Sequence, residues 1–378
     1  MSTIQELLQY TTGLHFQDQN EEQYSETQWG HSIERITTET DIDQLDLVIL
    51  GCGERRGQRN TDGYSQAPDL VREAFYSLHN WHPHLRIGDM GNVMEGAALN
   101  DTRVALKTHL SELHKMGKRV LVIGGSHDLT LQQYEVFREQ EEIIDFTMID
   151  MLADVAEGHG QSYDDHLMTA LTSSPNFVRH FNLFGFQSYY VNPRLVETLD
   201  KLRFDCVRVG MAREDLDQLE PAIRRSQLLS IDMNAVRHSD APANRLASPN
   251  GFFGDEMCKL TRFAGMSSEL NSMGLYGYHP ELDHQRLTAK LMAQMIWYYL
   301  DGLSIAKAEA SLQDRDQFLE YRVANPDMDG VFLKSKRSNR WWMQMPGGHF
   351  IPCTHRDYLT AAHNELPERW LREMERIA

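Results

Sequence analysis

Cysteine is scarce and scattered. Cys52, Cys206, Cys258 and Cys353 are the only four in 378 residues, and no two form a CxxC pair. That spacing excludes a disulfide framework and a zinc ribbon, and suits ordinary thiols in a reducing compartment. Positive charge is also in deficit: 37 Lys and Arg face 55 Asp and Glu, for a net charge of −18. The densest basic stretches, Lys334-Ser-Lys336-Arg337 and Arg55-Arg56, are short. A chain of this kind repels a phosphate backbone, so no nucleic-acid partner is expected. Long apolar runs are missing too. The longest, around 291–303, is interrupted by Gln294 and Asp301 and is too short to span a bilayer, so no membrane association is expected. The first thirty residues are polar, with no basic start leading into an apolar run. The expectation is therefore a cytoplasmic protein without a signal peptide. No GxxxxGK[ST] occurs, which removes the P-loop.

What is present suits a packed fold: 41% hydrophobic and 24% charged residues can bury a large core without staples. Short β-branched runs alternate with longer amphipathic ones. Strands are expected at 46–51, 119–124, 145–150, 181–186, 205–209 and 227–232. Helices are expected at 67–78, 102–116, 129–138, 164–172, 193–202, 255–266 and 283–303. This alternation implies βαβ units, hence an α/β fold: a three-layer, doubly wound, mainly parallel sheet. Residues 1–44 read as a polar amino-terminal extension in the manner of a helical arm, 45–305 as the α/β domain, and 306–378 as a carboxy-terminal appendage packed on it. Trp341, Trp342 and Trp370 fall in that appendage, either as packing residues or as interface anchors.

Two motifs imitate other chemistries. Gly51-Cys-Gly53-Glu-Arg-Arg56-Gly57 follows a strand like a dinucleotide fingerprint, but its third glycine is one position late and a polar loop follows. Without a helix there, nothing holds a pyrophosphate. Gly124-Gly125-Ser126-His127-Asp128 sits where a nucleophile elbow would place a serine. The elbow needs glycine two residues after the serine, and Asp128 stands there instead.

Ligands in such folds sit outside the carboxyl ends of the strands. Three of these ends carry His127, then Asp150 and Asp154, then Asp232. Three carboxylates and one imidazole converging on one crevice suit Mn²⁺, Fe²⁺ or Zn²⁺.

On these residues the chain resembles the arginase–agmatinase–formimidoylglutamase family, the ureohydrolases, over about residues 45–305. Gly124–His127 is similar to that family's GG(D/G)H segment, with a continuation nearest the formimidoylglutamase-like form. Asp150–Asp154 is similar to DAHxD, Ser230–Asn234 to S(F/I)DxD, and Leu275–Pro280 to the segment ending E-x-N-P. Arg55, Arg56, Asn60 and the stretch from Gly63 to Arg72 resemble the amino-terminal loop and first helix. The resemblance implies an arginase-like fold, a homo-oligomer (trimer or hexamer), and two Mn²⁺ ions bridging a hydroxide that attacks a guanidinium or formimino carbon. It assigns His127, Asp150, Asp154 and Asp232 to the first metal. The histidine and extra aspartate of the second metal fall on Leu152 and Asn234, and the glutamate that holds the substrate's amidine falls on Gly277. His159, in Glu157–Gln161, resembles the family histidine that moves a proton, and Arg55, Arg56 and Asn60 are candidates for a small-molecule substrate's polar end. Two readings stay open. One is a hydrolase of linear amidine or amide C–N bonds using one divalent ion, with Mn²⁺ the expected metal. The other is a catalytically silent relative serving as a scaffold, with or without a metal.

Overall fold

The structure, a computed structural model, describes residues 3–13, 24–58, 61, 63–155, 162–325 and 328–377. In chain order its strands are β1 (Thr11–Thr12), β2 (Glu34–Arg35), β3 (Leu47–Cys52), β4 (Ile87–Val93), β5 (Val120–Gly124), β6 (Ile144–Ile149) and β7 (Val178–Phe186). There follow β8 (Asp205–Arg208), β9 (Leu228–Asp232), β10 (Ser272–Tyr276), β11 (Phe318–Asn325), β12 (Met328–Ser335), β13 (Trp341–Gln344) and β14 (Phe350–Cys353). The first ten form one sheet in the order β1-β4-β3-β5-β10-β9-β6-β7-β8, with β2 beside β4. Only the β1–β4 pairing is antiparallel.

Alternate residues of the central strands point into separate cores. Ile49, Leu121, Ile123 and Ile231 face one layer, while Val48, Leu50, Val120 and Val122 face the other. Both faces are covered, so these strands are apolar throughout rather than alternating. Each such side chain contributes about 1.5–3 kcal/mol by leaving water. Helices pack on the two faces, among them Ala67–Tyr76, Leu99–Lys115, Ser162–Thr172, Gly254–Gly265 and Leu287–Lys307. The last is the long apolar stretch of the sequence, and among the described residues no helix is long and apolar enough to cross a membrane.

The amino-terminal extension departs from the expected arm. Beyond a helix at Thr3–Leu8 it contributes β1 and β2, which pair with β4 and cover that edge of the sheet. The appendage is an antiparallel sheet in the order β11-β12-β13-β14, followed by helices His355–Ala362 and Glu368–Ile377. Trp341, Trp342 and Trp370 are all buried within the chain. Trp341 stacks on Tyr358 with centroids 5.1 Å apart, and the Arg224 guanidinium sits 4.4 Å over Trp342. The tryptophans pack the appendage.

Ion pairs fasten its last helix to the sheet edge. Asp205 meets Arg372, lies 3.4 Å from Arg376, and accepts from His180 Nε2 at 3.0 Å. Burial pushes its carboxyl up, but His180, Arg372 and Arg376 outweigh that and hold it well below the usual carboxylate range. The unfolded chain therefore binds this proton more readily than the folded one. The contribution is complete above the unfolded pKa of about 3.9 and is lost as pH falls through the lower folded value. Asp205→Asn is expected to cost about 1–3 kcal/mol at pH 7. The difference from wild type in thermal melts should narrow as the pH drops below about 4.

Candidate metal centre

Strand register brings the chemistry to one place. Ile149 pairs with Ile231, Tyr276 with Asp232, and Leu275 with Ile123. The ends of β6, β9, β10 and β5 are therefore level at the middle of the sheet. His127 follows β5, Asp150 follows β6, and Asp232 closes β9. The turn after β5 is tight because Gly125 lies against the loop after β3; a Cβ there would stand 2.1 Å from the Glu54 carbonyl oxygen. Ser126 is drawn to the same carbonyl, its hydroxyl donating at 3.3 Å, and Asp128 is paired with Arg103. This is a structural turn, with the serine hydroxyl bonded to backbone.

Each of two carboxylates has one oxygen held by backbone two residues on. Leu152 N donates to Asp150 Oδ1 at 2.6 Å, and Asn234 N donates to Asp232 Oδ1 at 2.7 Å. The other oxygens come together around His127. Its Nδ1 is 2.8 Å from Asp150 Oδ2, 3.0 Å from Asp154 Oδ2 and 3.7 Å from Asp232 Oδ2. Asp154 is placed by a left-handed backbone at φ +42°, which aspartate tolerates better than most residues. His127 Nε2 is engaged by Ser230 Oγ at 2.8 Å, itself 2.5 Å from Thr130 Oγ1. That outer bond orients the ring and leaves Nδ1 facing the carboxylates.

The donor set fits a divalent cation. His127 and its three carboxylate neighbours are buried, yet His127 Nδ1, Asp150 Oδ2 and Asp154 Oδ2 make no aligned hydrogen bond. Two atoms each about 2.1 Å from one ion stand about 3.0–3.4 Å apart, depending on geometry, close to the spacings found. Without a cation, clustered buried carboxylates are costly. Burial works against a charged His127, but Asp150, Asp154 and Asp232 outweigh it and hold the imidazole well above its usual range. Burial and the Asp150 charge push Asp154 up, against the pull of His127. Such a cluster keeps a proton where a cation fits.

Positions 152 and 234, which the resemblance assigns to a second metal, are built differently. Leu152 is half-buried and has no donor atom. Asn234 Oδ1 accepts from Met151 N at 3.0 Å, while its buried Nδ2 has no partner. Gly277 adopts φ +80°, and a Cβ there would stand 2.3 Å from Asp232 Oδ1 and 2.8 Å from Asn244 Nδ2. Asn244 donates to Asp232 Oδ1 and to the Gly277 carbonyl. A side chain at position 277 is thus excluded by its neighbours.

The arginines divide. Arg56, expected at a substrate, is instead spent on the fold: it grips Glu54 at 2.6–3.1 Å and also donates to the Gly96 and Ala97 carbonyls. Arg55 is as covered as Arg56 but tied to a side chain rather than to backbone carbonyls, pairing with Glu281 at 2.8 Å beside Arg245 and His279. Asn60 and His159 lie outside the described residues. A cavity of about 1140 Å³ lies elsewhere, at the starts of β6 and β8, and is lined by the paired Asp205, Arg225, Arg372 and Arg376.

Three residues near the centre escaped sequence reasoning. Ser230 sits inside a recognised segment but carries no metal-ligand signal, and Asn244 lies in a loop without a motif. His166 lies in an expected helix four residues before buried Ala170. That spacing already places it on the core face.

Comparison with known proteins agrees with this architecture. The Arginase family description matches residues 45–301. The formimidoylglutamase of an Enterobacter species is 22% identical over 264 residues, covering 66% of this chain and 84% of that one. Proclavaminate amidinohydrolase of Streptomyces clavuligerus is 24% identical over 278 residues, covering 66% and 85%. Bacillus subtilis formimidoylglutamase superposes with a TM-score of 0.65 at 15% identity, covering 74% of this chain and 92% of that one. Trypanosoma cruzi formiminoglutamase, solved with Mn²⁺, gives 0.64 at 17%, covering 71% and 96%. With the matched segment taking up well over half its length and the same sheet beneath it, the chain belongs to the arginase family.

Proposed function

We propose that this protein is a metal-dependent hydrolase of linear amidine C–N bonds in a small molecule, using one divalent ion, Mn²⁺ by analogy with its relatives. The carrying observation is the buried set of His127, Asp150, Asp154 and Asp232, in which His127 Nδ1, Asp150 Oδ2 and Asp154 Oδ2 turn inward with hydrogen-bonding capacity unused. These four would hold the ion, which when bound supplies Lewis-acid charge and a more acidic water. Ser230 and Thr130 keep His127 in its ligating orientation. His159 is the group proposed to pass a proton to the leaving nitrogen, since an imidazole changes charge near neutral pH. Arg55, on the loop after β3 and paired with Glu281, would meet a substrate carboxylate.

One observation favours the second reading, a catalytically silent scaffold. Asn244 and Asp232 leave no room for a side chain at Gly277, the position that the resemblance gives to the amidine anchor, and orientation can supply about 7–11 kcal/mol of a barrier. A substrate panel separates the two. Mn²⁺-loaded protein is expected to release formamide from formiminoglutamate, or urea from at least one of arginine, agmatine and guanidine, and EDTA should stop it. A protein that holds its ion and turns over none of the four is the scaffold.

A further inference from the structure

We propose that His166 is a ligand of this centre, so that the helix Ser162–Thr172 supplies the second imidazole that position 152 no longer provides. The inference rests on the reading that the centre binds an ion. It goes beyond the four residues assigned so far. His166 is 1% exposed, on a helix that packs against the turn carrying His127. Its Nε2 stands 3.7 Å from Asp154 Oδ2, and its ring centroid is 4.8 Å from that of His127 at 67°. One ligand atom each from His127, Asp154 and His166 lies within 4.8 Å of the others. The 3.7 Å gap is too long for a hydrogen bond between the two side chains. It falls instead between the separations of tetrahedral and opposed ligands on one ion, about 3.4 and 4.2 Å.

The neighbouring chemistry explains why a histidine is wanted there. Leu152 removes a nitrogen donor from the loop after β6, and Asn234 removes a charge from the end of β9. An ion held by His127 alone among nitrogens would sit in an almost all-carboxylate cage. A second imidazole from the helix keeps the mixed N/O set that Mn²⁺, Fe²⁺ and Zn²⁺ share. It enters on the Asp154 side, grouping with His127 and Asp154, while Asp150 and Asp232 group with His127 from the other side. The alternative role for His166 is outer support of Asp154.

Counting nitrogens on bound Mn²⁺ separates the roles. Wild-type protein and His166→Leu, with and without ¹⁵N-histidine, would be loaded with Mn²⁺ and examined by pulsed EPR, with Kd from equilibrium dialysis. Two coordinated imidazole nitrogens are expected in wild type and one in His166→Leu. The Kd should weaken by more than the roughly 10–100-fold typical of losing an outer-shell partner. A single nitrogen in wild type overturns the assignment of His166 and leaves the one-ion centre standing. Wild-type protein that binds no Mn²⁺ overturns the centre itself. Because the wild-type count decides alone, the outcome does not depend on the variant folding.

Discussion

Alanine at His127 or at Asp154 is expected to take the divalent-ion content from about one per chain to none. His127 Nδ1 is the hub: Asp150, Asp154 and Asp232 all lie within 3.7 Å of it. Its removal leaves three buried carboxylates without their nearest positive group, and also deprives Ser230 of its imidazole contact. Removal of Asp154 takes away an oxygen whose hydrogen-bonding capacity is unused. Stability should report the same loss. An ion present at a hundred times its Kd stabilises a folded protein by about 2.7 kcal/mol, so Mn²⁺ should raise the melting temperature of wild type and leave both variants unmoved. Metal analysis by mass spectrometry, beside melts in Mn²⁺ and in EDTA, reads both effects. Wild-type protein that stays metal-free after manganese loading would sink the hydrolase reading and favour the scaffold.

The second large effect is a gain. Leu152→His combined with Asn234→Asp should raise Mn²⁺ from about one toward two ions per chain. The structure is prepared for the change at 234: the Met151 amide can donate to a carboxylate as it does to Asn234 Oδ1, and Asn234 Nδ2 has no bond to lose. At 152 a half-buried hydrocarbon gives way to an imidazole at the edge of the cluster. The single Asn234→Asp variant should behave differently. It adds one more negative charge beside Asp150 and Asp232 with no cation to balance it, so in EDTA it should melt below wild type, by about 1–3 kcal/mol in stability. The double variant should recover that loss in Mn²⁺. A stoichiometry that stays at one would mean that positions 152 and 234 are not the places of a second ion's ligands. Activity is not expected to return in full, because Gly277 cannot become glutamate without displacing Asp232 or Asn244.

The central strands and the ligand set are legible in the amino-acid sequence. The runs at 47–52, 120–124 and 228–232 are continuous apolar segments leading into glycine or a carboxylate, the pattern of buried parallel strands with ligands at their tips. β4 and β10 are harder. Ile-Gly-Asp-Met-Gly-Asn-Val and Ser-Met-Gly-Leu-Tyr are poor in β-branched residues, and their pairing partners decide what propensity leaves ambiguous. The appendage hides its antiparallel sheet for a related reason: β11 and β12 carry Glu320, Arg322 and Lys334 among apolar residues, which masks a simple alternation.

At the centre the division is physical. Ligand types and their spacing along the chain are local properties, so His127, Asp150, Asp154 and Asp232, and the hydrocarbon and amide at 152 and 234, could be read directly from the residues. Which groups approach from elsewhere depends on how helices and loops pack over the strand ends. Only the tertiary structure placed His166 beside Asp154, filled the space at Gly277 with Asn244, and turned Arg56 inward onto Glu54. Sequence alone determined an α/β sheet with one set of metal-ligand side chains. Three-dimensional packing decided what surrounds that set, because contacts between residues distant in sequence leave no periodic mark in the chain that makes them.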